Sequence, residues 1–131
     1  MTDSPPGPQH AQELPEDLAR IVGALHERNA REPVLLDLRG LSDAADYFVI
    51  ASGDSDTHAR AIAEAVMESG RKAGVRPAGV EGQRAGSWIL IDYISAVVHV
   101  FLPRVRDFYR LEELWGDAPL TRLEEPAPGA G

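Results

Sequence analysis

Residues 96–102 read Ala-Val-Val-His-Val-Phe-Leu, apolar at odd and even positions alike, and Pro103 closes the run. An alternating strand keeps one face wet, whereas a strand apolar on both faces belongs in the middle of a sheet with cover on each side. The chain must therefore supply neighbouring strands and two covering layers. The preceding run, 88–93 (Trp-Ile-Leu-Ile-Asp-Tyr), reads as the hairpin partner of this central strand.

The remaining elements follow from periodicity and punctuation. Pro15 suits the first position of a helix, with Glu16 and Asp17 favourably placed against its dipole. Leu18, Ile21, Val22 and Leu25 then form an i, i+3, i+4, i+7 stripe. Pro33 is expected to stop that helix before a strand at 34–38, and a turn at 40–43 leads into a second strand at 47–52. The run Gly53-Asp54-Ser55-Asp56 turns the chain into a second helix, with Ser55 or Asp56 as its N-cap. Ala59, Ile62, Ala63, Val66 and Met67 supply its buried face, and Gly74 its stop. A short strand at 78–81, the hairpin and a final helix at 104–115 complete the order α-β-β-α-β-β-β-α. The expected fold is α/β in the α+β sense, a compact mixed five-stranded sheet flanked by helices. Residues 1–13 read as a proline-rich disordered leader, 14–116 as the domain and 117–131 as a disordered acidic tail.

Composition narrows the function. The 131 residues are 44% hydrophobic, enough for one buried core. There is no cysteine, which excludes disulfides and thiolate metal sites. No apolar run reaches the length of a membrane span, and the polar amino terminus does not read as a secretory signal, so a soluble cytoplasmic protein is expected. The net charge of -8 is unsuited to gripping phosphate backbones, so little direct nucleic-acid binding is expected. It suits a basic protein partner instead.

Enzyme-like signals are sparse. Asp54 and Asp56, with Asp92 as a third carboxylate, are the set a magnesium-dependent nucleotidyltransferase requires, and this is the alternative reading. Against it, Ser52 precedes Gly53, both aspartates fall where caps are common, and no basic cluster stands ready for a triphosphate. Ser52 or Ser55 with His58 and Asp37 can be drawn as a nucleophile triad, a set that demands geometry. His99, inside the central strand, is expected to be a buried neutral histidine with a hydrogen-bonded ring. No catalytic residue, cofactor or metal is therefore expected. In 79–82, Gly-Val-Glu-Gly, the glycines serve either a tight bend or the close approach of another backbone. In the last helix Val105, Phe108, Leu111 and Trp115 fall on one side as core, while Arg106 and Tyr109 point elsewhere. Together with Trp88, the latter two supply the residue types that dominate binding hot spots.

These residues carry a resemblance. The stretch 46–53 (Asp-Tyr-Phe-Val-Ile-Ala-Ser-Gly) with Ser55 and His58, the Gly-Val-Glu-Gly run, Trp88-Ile-Leu-Ile-Asp92, His99-Val-Phe101 and Arg106-x-Phe-Tyr-x-Leu-Glu-x-Leu-Trp115 lie in order. With Asp37, and across residues 16–116, they resemble the ribosomal silencing factor (RsfS, Iojap) family. The resemblance implies a nucleotidyltransferase-like sheet without the active site. It also implies binding to large-subunit ribosomal protein L-fourteen, where the bound domain blocks joining of the small subunit and represses translation under nutrient stress. A homodimer is implied for the free protein. Matched position by position, the family motifs assign partner contact to Trp88, Leu90, Phe101, Arg106 and Tyr109. Asp54-Ser55-Asp56 places two acids where family members often carry small polar residues.

Overall fold

The computed structural model describes residues 16–123. In chain order the elements are α1 (Glu16–Glu27), β1 (Arg31–Asp37), β2 (Tyr47–Ser52), α2 (Asp56–Lys72), β3 (Gly79–Glu81), β4 (Trp88–Asp92), β5 (Ala96–Phe101), α3 (Pro103–Tyr109), α4 (Leu111–Leu114) and β6 (Leu120–Arg122). They build one six-stranded sheet in the order β3-β4-β5-β2-β1-β6. The expected mixed sheet is there, with one strand more than the five anticipated.

Strand β5 is buried at every position. It pairs antiparallel with β4 and parallel with β2, the only parallel pairing among the described residues. On one side α1 and α2 cover it. Leu18, Ile21 and Leu25 of α1 and Ala59, Ile62, Ala63 and Val66 of α2 meet Leu35, Val49, Ala51, Ile89, Ile91, Val98 and Val100 of the sheet. On the other side the cover is smaller: Val105, Leu111 and Trp115 from the α3–α4 segment pack on Val34, Leu36, Ile50 and Phe101.

The helix ends show how local chemistry sets the boundaries. Ser55 caps α2 by accepting the His58 backbone N–H. Gly74, at φ +78°, closes the same helix, with Val75 N–H donating to the Gly70 carbonyl. The expected role of Pro33 as the stop of α1 is wrong. That helix ends at Glu27 and is closed by Asn29, which adopts φ +56°, while Ala30 N–H donates to the Leu25 carbonyl in the same 6→1 pattern. Pro33 lies inside β1, where the register with β2 shifts between Arg31 and Val34, so its missing N–H is tolerated. The proposed start of α1 at Pro15 lies outside the described residues. Gly53 and Gly82 are among the glycines with no room for a side chain. A side chain on Gly53 would meet the backbone of Ala59 at 2.7 Å, and one on Gly82, at φ +82°, would strike the Trp88 carbonyl at 1.9 Å. Gly82 thus serves both a bend and a close backbone approach.

The segment 117–123, expected as the start of a disordered tail, is part of the fold. Strand β6 pairs antiparallel with β1, Ala118 and Leu123 are buried, and the His26 ring meets the Leu123 carbonyl. Residues 1–13 and 124–131, the rest of the expected leader and tail, lie outside the described residues. If the segment through β6 is structural, Leu123→Ala, just past the strand, costs about 2–4 kcal/mol in chemical denaturation, whereas Leu120→Ala, exposed within the strand, costs less than about 0.5 kcal/mol.

A candidate protein-docking face

The register places Trp88, Leu90 and Asp92 of β4, Val97, His99 and Phe101 of β5, and Phe48, Ile50 and Ser52 of β2 on the side opposite α1 and α2. The α3–α4 segment spans only part of this side. Trp88, Leu90 and Phe48 are left half-buried, and Tyr109 lies at the rim with its ring 4.7 Å from that of Trp88. Phe108 follows edge-on to Tyr109 at 5.0 Å and is 80% exposed. The result is a band of aromatic and aliphatic surface beside open solvent.

The break between α3 and α4 explains why Phe108 is outside. A continuous helix over 104–115 was expected to carry it inward with Val105, Leu111 and Trp115. Arg110 instead takes φ +49°, ending α3 and restarting the chain as the single turn α4. Beyond the break the angular phase changes, so Leu111 and Trp115 pack inward while Phe108 does not.

Two of the residues assigned to partner contact are interior. Phe101 has no accessible surface and lies in the core between the sheet and α3, which removes it from the contact set. Arg106 is only 8% exposed. Its guanidinium donates to the Glu112 carboxylate at 2.7 and 2.9 Å, to the Ser52 hydroxyl at 2.9 Å and to the Glu32 carbonyl at 2.9 Å. A planar fork with five donors suits this role, because it can satisfy several acceptors at once in a dry site. Arg106 therefore pins α3 and α4 to the ends of β1 and β2 and holds Tyr109 in place. Trp88, Leu90 and Tyr109 remain accessible.

The second polar feature of the face is His99, buried between Phe48, Trp88 and Phe101. The indole N–H of Trp88 donates to His99 Nδ1 at 3.1 Å. An indole can only donate, so Nδ1 carries no proton and the neutral ring holds its proton on Nε2. The expected ring hydrogen bond exists on that one nitrogen; Nε2 is buried without a protein partner. Burial pushes the His99 pKa down to about 4.

The enzyme-like residues do not converge. Arg31 grips the Asp54 carboxylate through Nε and a terminal nitrogen, at 3.0–3.3 Å, and holds its pKa below the usual range. Asp56 pairs with Arg60 at 3.2 Å. Asp92 stands at the opposite end of the sheet, since Trp88, not Asp92, faces Phe101 and hence Ser52 in the register. There the Asp92 carboxylate accepts from Ile94 N–H in the hairpin turn. No group of three metal-competent side chains occurs among the described residues. The drawn triad fails as well. His58 Nδ1 accepts from Asp54 N–H and Nε2 donates to the Arg28 carbonyl, while Asp37 is bound by Arg39 beyond the far end of β2.

Sequence reading missed Phe48 as part of the face. Its signal lay in phase: it alternates with Tyr47 and Val49 and stands against His99, at 4.5 Å between ring centroids.

Fold and face together define a class: a small α+β domain with one sheet side closed by two helices and the other left partly open and aromatic. The chain belongs to the family described as ribosomal silencing factor during starvation (RsfS), whose model matches residues 11–130. It is 40% identical over 103 residues to ribosomal silencing factor RsfS of Bacillus subtilis, spanning 79% of this chain and 87% of that protein. The RsfS of Halalkalibacterium halodurans is 38% identical over 109 residues, or 83% and 93% of the two chains. A crystal structure of a Chromobacterium violaceum protein superposes with a TM-score of 0.77 at 33% identity, covering 91% of this chain and 99% of that one. No helix among the described residues is long and apolar enough to cross a membrane.

Two measurements check the polar assignments. Arg106→Leu leaves the Glu112 carboxylate without its partner and lowers stability by about 3 kcal/mol in denaturant titration. Because folded His99 stays neutral while the unfolded ring titrates near its ordinary 6.5, its contribution is full above pH 6.5. That contribution is lost as pH falls toward about 4, by on the order of 3 kcal/mol. The wild-type curve of stability against pH is therefore steeper across that window than the curve of His99→Phe.

Proposed function

We propose that this protein is a ribosomal silencing factor that docks its open sheet face on large-subunit ribosomal protein L-fourteen and blocks joining of the small subunit by occupying space. The observation that carries the reading is the accessible cluster of Trp88, Leu90 and Tyr109, held in place by interior polar bonds, in a chain of this family. Large amphipathic rings of this kind provide contact area at low entropic cost, and hot spots are rich in Trp and Tyr. The net charge of -8 favours approach to a basic ribosomal protein and disfavours a rigid grip on RNA. Repression of this kind uses no chemical step, so the protein acts without catalysis, metal or cofactor. In this reading it works in the cytoplasm under nutrient stress, and the free protein is a homodimer whose state is measured by sedimentation.

The test is co-sedimentation with purified large and small ribosomal subunits, followed by a subunit-joining assay. Binding to the large subunit alone, with fewer joined ribosomes, is expected. Trp88→Ala and Tyr109→Ala each weaken that binding by about 2 kcal/mol, roughly thirtyfold. The melting temperature changes little in Tyr109→Ala and falls in Trp88→Ala, which also leaves His99 Nδ1 without its donor. Wild-type protein that binds neither subunit, or variants that stay folded and bind as wild type, would sink the assignment.

A further inference from the structure

The open face does not stop at the aromatic band around Trp88. The Trp115 ring stands edge-on to Phe48 at 6.2 Å, and on its other side it lines a groove of about 460 Å³ with Leu41, Glu113, Leu114, Gly116 and Asp117. Leu114 is 72% exposed and Leu41 is 45% exposed, although they come from different parts of the chain. One follows β1 and the other ends α4, so two separate loops bring leucine side chains to one concavity. Neither leucine belongs to either core cluster. Water-facing leucines gathered beside a partly open aromatic face are the kind of apolar patch that marks an interaction site.

We propose that this groove is a second anchor point of the docking face, continuous with it through Trp115 and Phe48, and that it receives an apolar side chain flanked by lysine or arginine from the same basic protein partner. The inference rests on the docking role proposed above. Continuity is one support. The other is charge: Glu113 and Asp117 line the groove, and Glu113 is held only by an exposed 3.4 Å contact with Arg110, which leaves it available to an incoming cation. Residues 124–131 are a poor occupant. The eight residues after Leu123 read Glu-Glu-Pro-Ala-Pro-Gly-Ala-Gly, with no large apolar side chain and two acids to repel the rim.

Purified large ribosomal subunits are the probe, titrated with wild type, Trp88→Ala, Leu114→Glu and Leu41→Ser. Both leucine variants remove exposed side chains, so their melting temperatures should match wild type. Each is expected to weaken binding at least about tenfold, with the loss in Leu114→Glu multiplying that of Trp88→Ala, as for separate anchors on one surface. Wild-type binding that falls in Trp88→Ala but is untouched in Leu114→Glu and Leu41→Ser overturns the second anchor and leaves the docking role standing. Wild-type protein that does not bind overturns both. If Leu114→Glu turns a self-associated protein into a monomer by sedimentation while subunit binding is unchanged, the groove belongs to a second copy, and the proposal falls.

Discussion

Burial of β5 on both faces is the condition from which the rest of the architecture follows. Its inward positions toward α1 and α2 are satisfied by two long helices with complete apolar stripes. Its other face holds His99 and Phe101 and is covered by little more than three turns of broken helix. The asymmetry leaves Trp88, Leu90 and Phe48 between core and solvent. A surface of this type can be apolar enough to bind and still belong to a stable fold, because each exposed ring has its other side packed.

Polar groups buried beneath that face keep it in shape. Arg106 ties the carboxyl-terminal turns to β1 and β2 through four hydrogen bonds to three acceptors in different parts of the chain. His99 holds the indole of Trp88 by a directional bond that a purely apolar contact would lack. Both arrangements carry a desolvation cost, and both fix an orientation. For the docking role proposed for this face, orientation of a few large rings matters more than additional buried area.

Much of this was legible in the sequence. The double-sided apolar run located the central strand, the i, i+3, i+4, i+7 spacing located α1 and α2, and Gly74 marked a real helix end. What was not legible had physical causes. Strand β6 is three residues long, too short for alternation to register, and its neighbouring Pro119 and acidic stretch read as tail. The exposure of Phe108 depends on a left-handed turn at Arg110, a residue with no sequence signature for that conformation. Arg106 read as surface because arginine usually is; only the convergence of Glu112, Ser52 and Glu32 on one point makes its burial tolerable, and that convergence is tertiary. Trp88, Leu90 and Tyr109, read from residue type and motif, are accessible, whereas Phe101, the cross-strand partner of Trp88, lies one strand deeper in the sheet and is buried.

Strand order also governs how the chain can be made. The β1–β2 hairpin leaves the ribosome early, yet it lies between β5 and β6, both of which come much later in the chain. Translation at about 5–20 residues per second separates the completion of β2 from that of β6 by seconds. Both edges of the nascent hairpin stay unpaired until β5 is made, and the β1 edge stays unpaired until β6 follows, a feature that favours off-pathway association. Among the described residues the sheet is thus closed last by β6, and premature termination before Leu120 leaves the β1 edge unpaired.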